Sequence, residues 1–455
     1  MTKPTVNSDT TGTKAQRVRA AYIVALFFVC YVFAYVDRQI LTVLAQPVKL
    51  SLGLSDTEVG ILQGFAFAIF YSVGGLPVAW LVDRANRMRV VAGCVFVWTA
   101  ATVLSGFSTT FTQLLITRAG TAAAESGLVP AGLSVFADTL TPRRVPRASA
   151  ILMLAPSIGG GVALLAGGAL LAHFSAAGSH SGLFQKLLPW QMVYVVIGLP
   201  GILLVALLLM IREPVRMELA TLRDVGAEPA PTPRQVCKFL FSDSQFFAPY
   251  IAGICIILLL FYSQLAWFPA LLSRQFDAPA ASVGKLLGPV FMLGGITGTL
   301  ASQLFLRRLA NDSVVPRIVS VITWAIGAQI FLALAIPLVP DLRAGVALYG
   351  VSTFLTSIIT SIMNVPLQLS VPNRMRGQTI GIAVFGASLF GTGAGPFLVG
   401  FLNDHAFSGR ASLGLSLAVV AGAAATTATV LMIRALTVYG RPRGLGAEMK
   451  AGSRI

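Results

Sequence analysis

The fold is decided by two stretches, TPRRVPRASAI at residues 141–151 and VPNRMRGQTIGI at residues 371–382. Each carries a proline, a cluster of arginines and then a small-residue helix start. Each also lies between two apolar segments long enough to cross about 30 Å of hydrocarbon. Working outward, such segments fall near 20–46, 57–82, 89–108, 111–138, 147–172 and 190–211. After a polar interval they resume near 246–272, 282–306, 314–337, 343–370, 376–402 and 412–436. The two quoted loops occupy the same place in each set of six, between the fourth and fifth span. The sequence therefore predicts an all-α membrane protein of twelve transmembrane helices, built as two six-helix halves at 20–211 and 246–437. A tail (1–19), a linker (212–245) and a second tail (438–455) complete it. The linker ends in the Pro-rich PAPTPR at 229–234.

Composition points the same way. Hydrophobic residues make up 56% of 455 and charged residues 11%, against about 25% charged in soluble domains. With mean hydropathy at +0.80, there is too little polar surface to cover a soluble globule. Disorder, collagen, a disulfide scaffold and an ordinary soluble enzyme are excluded. Residues Met1 to Arg19 are polar and basic with no apolar core, so no cleaved signal peptide is expected. Cys30, Cys94, Cys237 and Cys255 show no metal-ligand spacing, and no nucleophile–base constellation appears. No metal site and no enzyme activity are expected.

The net charge of +16 has a topological explanation. Of 33 Lys and Arg, 25 fall in the tails, the linker and the loops of one side; Lys49, Lys186, Arg274, Lys285, Arg343 and Arg410 lie opposite. The positive-inside bias then places both termini in the cytoplasm. Spread over short turns, the charge forms no nucleic-acid surface. Two six-helix halves imply a transporter, expected as a monomer in the bilayer, with its site between the halves near the midplane. The short tails and the lack of an outer-face glycosylation sequon agree with a bacterial inner membrane.

The loop after the second span reads Ala79-Trp-Leu-Val-Asp83-Arg84-Ala-Asn86-Arg87-Met-Arg89. A small residue four before an Asp-Arg pair, then further basic residues, resembles the signature loop of the major facilitator superfamily. An acid at a helix end facing arginines can lock one conformation, so Asp83, Arg84, Arg87 and, on the fourth span, Asp138 are expected to form a cytoplasmic latch. The set Tyr35-Val-Asp37-Arg38, Leu54-Ser-Asp56-Thr-Glu58-Val-Gly60-Ile-Leu62-Gln63 and Arg118-Ala-Gly120-Thr-Ala-Ala-Ala-Glu125-Ser resembles the spinster family within that superfamily, most densely over 31–170. What the resemblance implies is the major facilitator fold and proton-linked movement of lysophospholipid- or sphingoid-phosphate-like amphiphiles.

Independently of family, the ionisable residues within spans carry the most information. Asp37 and Glu125 are the acids placed well inside, where a charge costs at least about 2.5–3.5 kcal/mol on insertion scales, so function is the default reading. Arg118 and Glu125 are seven residues apart, on one helix face. At about 1.5 Å per residue they lie roughly 10 and 20 Å below the outer end of their span, with Asp37 between them in depth. A buried carboxyl holds its proton and a nearby guanidinium loosens it. Asp37 and Glu125 are accordingly expected to couple protons, with Arg118 as counter-ion and anchor for an anionic group. Arg38, about 100° round from Asp37, is expected to face neighbouring helices and stands beside Arg118 as a substrate-binding or counter-ion candidate. A static triad tying the helices together is the alternative.

The second half offers uncharged candidates for the opposite cavity wall: Tyr262, Gln264 and Trp267 on the seventh span, and Thr360, Asn364 and Gln368 in a polar stripe on the tenth. A site charged on one wall and polar and aromatic on the other suits an amphiphile with an ionic head. The run Ala155-Pro156-Ser-Ile-Gly159-Gly160-Gly161 is similar to an antiporter motif of the superfamily and leans toward export. His173, His180 and His405 are read as surface residues. The expected partners are the bilayer, a lysolipid or other small molecule, and protons, with the proton as coupling ion and no cofactor. The alternatives are a proton-coupled symporter of small organic anions, a multidrug-type exporter, and a transport-inactive sensor.

Overall fold

A computed structural model describes residues 14–176, 186–216, 231–309, 314–407, 409 and 412–439. Both tails up to 13 and from 440, linker residues 217–230, His180 and Arg410 lie outside the described residues. Twelve helical rods succeed one another: Lys14–Leu52, Asp56–Arg84, Arg87–Ser105, Phe111–Thr139, Val145–Ala176, Pro189–Leu209, Ser244–Gln275, Ala280–Arg307, Val314–Leu338, Leu342–Ser370, Asn373–His405 and Ser412–Tyr439. They are spans 1 to 12 below. Eleven are long and apolar enough to cross a membrane. Span 4 completes the set, broken into segments of 15 and 12 residues. The linker adds an amphipathic helix, Pro233–Ser242, that buries Val236 and starts on a Thr232 capping box.

The breaks follow from proline, which has no N–H for the carbonyl four residues back. Span 4 breaks at Ser126 and Gly127 ahead of Pro130, span 5 at Met153 and Leu154 ahead of Pro156, and span 10 at Met363 and Asn364 ahead of Pro366. In span 11 the turns before Pro396 widen into a π-helix, Ala387–Gly393. Span 2 breaks instead at Gly64, where the backbone of Gly393 from span 11 comes too close for any side chain.

The ends of spans 1 and 12 that carry the termini, together with the linker, define a basic face; the opposite side is the far face. The halves pack against each other toward the far face. A Cβ on Gly284 (span 8) would sit 2.6 Å from the Leu164 carbonyl (span 5), and one on Gly60 (span 2) would sit 2.6 Å from the Pro396 carbonyl. Toward the basic face each half keeps to itself. The segment Val145–Leu152 packs on span 1 and Leu128–Thr139, and Arg376–Gly386 packs on span 7, the linker helix and Val365–Ser370. Among the described residues the halves are thus closed on each other toward the far face, and the segments Val145–Leu152 and Arg376–Gly386 pack mainly within their own halves toward the basic one.

Candidate functional site

Asp37, Arg118 and Glu125 are all buried, at 5%, 1% and 3% exposure. They do not form the expected triad. Glu125 accepts from Arg38, Nη2 to Oε2, at 3.3 Å. Arg118 donates instead to the main-chain carbonyls of Asp37 at 3.1 Å and Arg38 at 3.2 Å. The reading of Arg118 as counter-ion to Glu125 is therefore corrected. Side chains on a helix lean toward its N-terminus, so Arg118 leans to the far face, away from Glu125 two turns on. The 100° between Asp37 and Arg38 sends them to different neighbours. The Asp37 carboxylate accepts from the Thr102 hydroxyl on span 3, while Arg38 turns toward spans 2 and 4.

Arg38 lies in an aromatic box, its guanidinium carbon 4.0 Å from the Phe67 ring centre, 4.9 Å from Tyr35 and 5.0 Å from Tyr71. Such faces attract a cation and suit the weakly hydrated guanidinium. Two polar atoms of the pair, Glu125 Oε1 and Arg38 Nε, are buried with no hydrogen-bond partner among the described residues. The ion pair is held by one contact and leaves spare valences on both sides.

Beyond Arg38, toward the far face, lies a recess of about 20 Å³ lined by Gln39, Thr42, Gln63, Phe67, Tyr262 and Thr392, among others. Of the second-half candidates, Tyr262 alone lines it. Gln264, about 200° round the helix, has its Oε1 2.5 Å from the Ser352 hydroxyl inside the second half, and Gln329 Oε1 lies 2.9 Å from the same hydroxyl, whose single proton serves one of the two. Trp267 is buried and donates to the Pro396 carbonyl at 2.8 Å, bracing span 11. Thr360 bonds back to the Thr356 carbonyl at 3.0 Å. Asn364 sits half-buried at the break of span 10, and Gln368 is exposed nearer the basic face. Gln264 and Trp267 are thus turned into helix packing, a correction to the expected wall, and the second half lines this recess with Tyr262, Leu265, Ala266, Thr392 and Pro396.

At the basic face Arg87 is the hub. It is 2% exposed and pairs with Asp138 at 2.5 Å and with Glu213 of the linker at 3.0 Å. It also donates to Ser134 and to the Pro214 carbonyl. Arg84 lies over Trp80 with 4.6 Å to the ring centre. The Asp83 side chain is exposed, and among the described residues only its main-chain carbonyl is engaged, by Arg216. In this conformation the acids that hold the arginine are Asp138 and Glu213, and Asp83 is not among them.

The far face holds an ionic lattice that the sequence reading missed. Asp56, at the start of span 2, accepts from both terminal nitrogens of Arg274 (span 7) at 2.6 and 2.8 Å. It also takes Lys49 at 2.6 Å and Asn403 at 2.6 Å. Asp404 of span 11 caps span 2 in turn, accepting from the amides of Asp56 at 3.2 Å and Thr57 at 2.7 Å. The lattice ties the two halves together. Lys49 and Arg274 had counted only toward charge asymmetry; a carboxylate and a guanidinium at far-face ends of opposite halves were the available signal.

The family model described as Major Facilitator Superfamily matches residues 27–396. The chain belongs to the Major Facilitator Superfamily. As a member it is a transporter and not an enzyme. It is 29% identical over 374 residues to an MFS-type efflux pump of Mycolicibacterium smegmatis, covering 81% of each chain. It is 24% identical over 415 residues to a probable L-galactonate transporter of Escherichia coli, covering 88% of this chain and 87% of that one. Among solved structures, a bacterial homologue of the human lysosomal transporter spinster, inward-facing, superposes with a TM-score of 0.71 at 23% identity, covering 94% of this chain and 97% of that one. That likeness bears out the twelve-helix fold. Among the described residues no cluster of His, Cys, Asp or Glu could hold a metal ion.

Proposed function

We propose that this transporter moves a small organic anion in step with a proton, with Glu125 and the anion taking turns on Arg38. The observation that carries the reading is the singly bonded Arg38–Glu125 pair, which leaves Glu125 Oε1 and Arg38 Nε unsatisfied beside the cavity. A buried pair resists loss of one partner because the other charge is stranded. Protonation of Glu125 frees Arg38, and an arriving carboxylate restores its pairing. Neither charge is then left alone, and one proton accompanies one negative charge. Asp37, held by Thr102, is a second proton site in this scheme. Arg118 is a positioning residue that fixes the main chain carrying Asp37 and Arg38.

The space near Arg38 favours a small hydroxylated acid over a lysophospholipid or sphingoid phosphate. Its uncharged lining includes two amides and two hydroxyls, Gln39, Gln63, Thr42 and Thr392, and such groups reward a ligand that bonds to them. The relatives named for galactonate and for galactarate or glucarate transport fit that class; the efflux pump leaves export as the other direction. Alternating access would part the Asp56–Arg274 lattice as the basic-face gap closes. The chain works as a monomer in a bacterial inner membrane, with basic face and termini in the cytoplasm.

Purified protein in liposomes tests this. Labelled aldonates should accumulate several-fold under an inward proton gradient and lose that accumulation with an uncoupler. A thermal shift with lysolipids alone, and none with small acids, would overturn the reading in favour of an amphiphile.

A further inference from the structure

Gln63 stands out among the residues around the cavity. Both atoms of its side-chain amide, Oε1 and Nε2, are buried and make no hydrogen bond among the described residues. Buried amide groups are ordinarily bonded, and an orphan donor or acceptor forfeits the hydrogen bonds it would make in water. Gln63 lies where span 2 meets span 11, on the last turn before the Gly64 break, and lines the same recess as Arg38.

Depth along the helices orders the recess. Counted at about 1.5 Å per residue from the far ends of their spans, Gln63 lies roughly 10 Å down, and Arg38, Tyr262 and Thr392 roughly 20 Å down. Arg38 therefore stands at the basic-face end of the recess, with Gln63 toward its far-face end. The volume of about 20 Å³ admits one water-sized group. No carboxylate and no acyl chain fits, but a single hydroxyl does. An amide supplies both an acceptor for a hydroxyl's proton and a donor to its oxygen.

We infer that this recess is a hydroxyl subsite, and that Gln63 makes the transporter selective for acids bearing a hydroxyl next to the carboxylate that Arg38 holds. The inference rests on the organic-anion reading above. A substrate anchored on Arg38 places its adjacent carbon at the recess mouth. A hydroxyl there enters and, as the Gln63 side chain turns into the recess, satisfies the amide, whereas the deoxy analogue leaves the amide orphaned behind a bound ligand. Sites built to bond a hydroxyl reject analogues lacking it far more strongly than apolar pockets reject a changed methylene.

The test uses the full chain in liposomes with galactonate and 2-deoxygalactonate as probes, reading affinity from competition against labelled galactonate and from thermal shift. The wild type should prefer galactonate by about tenfold or more. Gln63→Met, close in shape and without the amide, should weaken galactonate to within about twofold of the deoxy acid and leave the deoxy acid's affinity unchanged. Gln63→Asn, which keeps the amide but shortens its reach, should fall between. Equal affinity for the two acids in the wild type would overturn the subsite while leaving the organic-anion reading standing, as would full preference persisting in Gln63→Met. Binding of neither acid would overturn both.

Discussion

Arg38 and Glu125, 87 residues apart in the chain, meet at 3.3 Å inside the first half. Their pairing joins span 1 to span 4, and Glu125 Oε1 and Arg38 Nε are left without hydrogen-bond partners among the described residues. Glu125→Gln keeps a hydrogen-bonding oxygen for Arg38 and removes the titrating group. This variant should lose proton-driven accumulation by at least about tenfold yet still exchange labelled for unlabelled substrate across the bilayer. Uptake and counterflow measured side by side check it. Retained gradient-driven uptake in Glu125→Gln and Asp37→Asn alike would sink the coupling role of both acids.

Arg118 bonds the backbone and makes no direct ion pair among the described residues, so its loss should be read in stability first. Arg118→Met removes two charge-assisted hydrogen bonds to the Asp37 and Arg38 carbonyls, worth about 1.5–3 kcal/mol each, while both carbonyls keep their helical partners. Its melting temperature should fall by several degrees. Arg38→Met, in contrast, should abolish substrate-dependent stabilisation. Thermal unfolding with and without substrate separates the two. A melting temperature unchanged in Arg118→Met would argue that its guanidinium serves the substrate directly.

Asp56 takes Arg274, Lys49 and Asn403 at once, and only Lys49 belongs to its own half. Arg274→Gln removes the bidentate contact, which is the strongest geometry available to a guanidinium and carboxylate. The far-face seal should loosen and the population shift toward the opposite opening. In a background free of native cysteines, Thr42→Cys reports on the recess. Its labelling by a membrane-impermeant maleimide from the far face should rise about tenfold when Arg274→Gln is added. Asp404→Asn should act in the same direction more weakly, because it loosens a helix cap and leaves the ion pair in place.

Span positions, the two halves and the identity of the buried charges were legible because hydropathy and lone intramembrane charges are local signals. Asp37, Arg38, Arg118 and Glu125 could each be picked from one window of sequence. Which of them pair could not, because that depends on the lean of each side chain and on the neighbour 100° round the helix. Gln264 and Tyr262 show the same limit: two residues apart on one span, the first faces a packed interior and the second the recess. The far-face lattice was illegible for another reason. Asp56 and Arg274 lie at helix ends, where charge is cheap and says little until their rods are placed side by side. Gln63 needed still more, since an orphaned amide is visible only once every potential partner has a position.

At the basic face the two most suggestive residues of the signature loop should behave differently. Arg87 serves two carboxylates, a hydroxyl and a carbonyl while almost fully buried. Arg87→Met breaks the buried pairs with Asp138 and Glu213, of which Glu213 keeps Arg216 at 3.5 Å, a loss on the order of 3–5 kcal/mol for a broken buried pair. Asp83 is exposed, and its carboxylate has no partner among the described residues. Asp83→Asn should therefore keep the melting temperature within about 2 °C, in line with a surface change of under about 0.5 kcal/mol. If Asp83 finds its partner only when the basic-face gap closes, the same variant should slow transport several-fold. Thermal unfolding and initial uptake rates, taken on both variants, check this. Equal losses of stability in the two would show that Asp83 already bears load in the far-face-closed conformation.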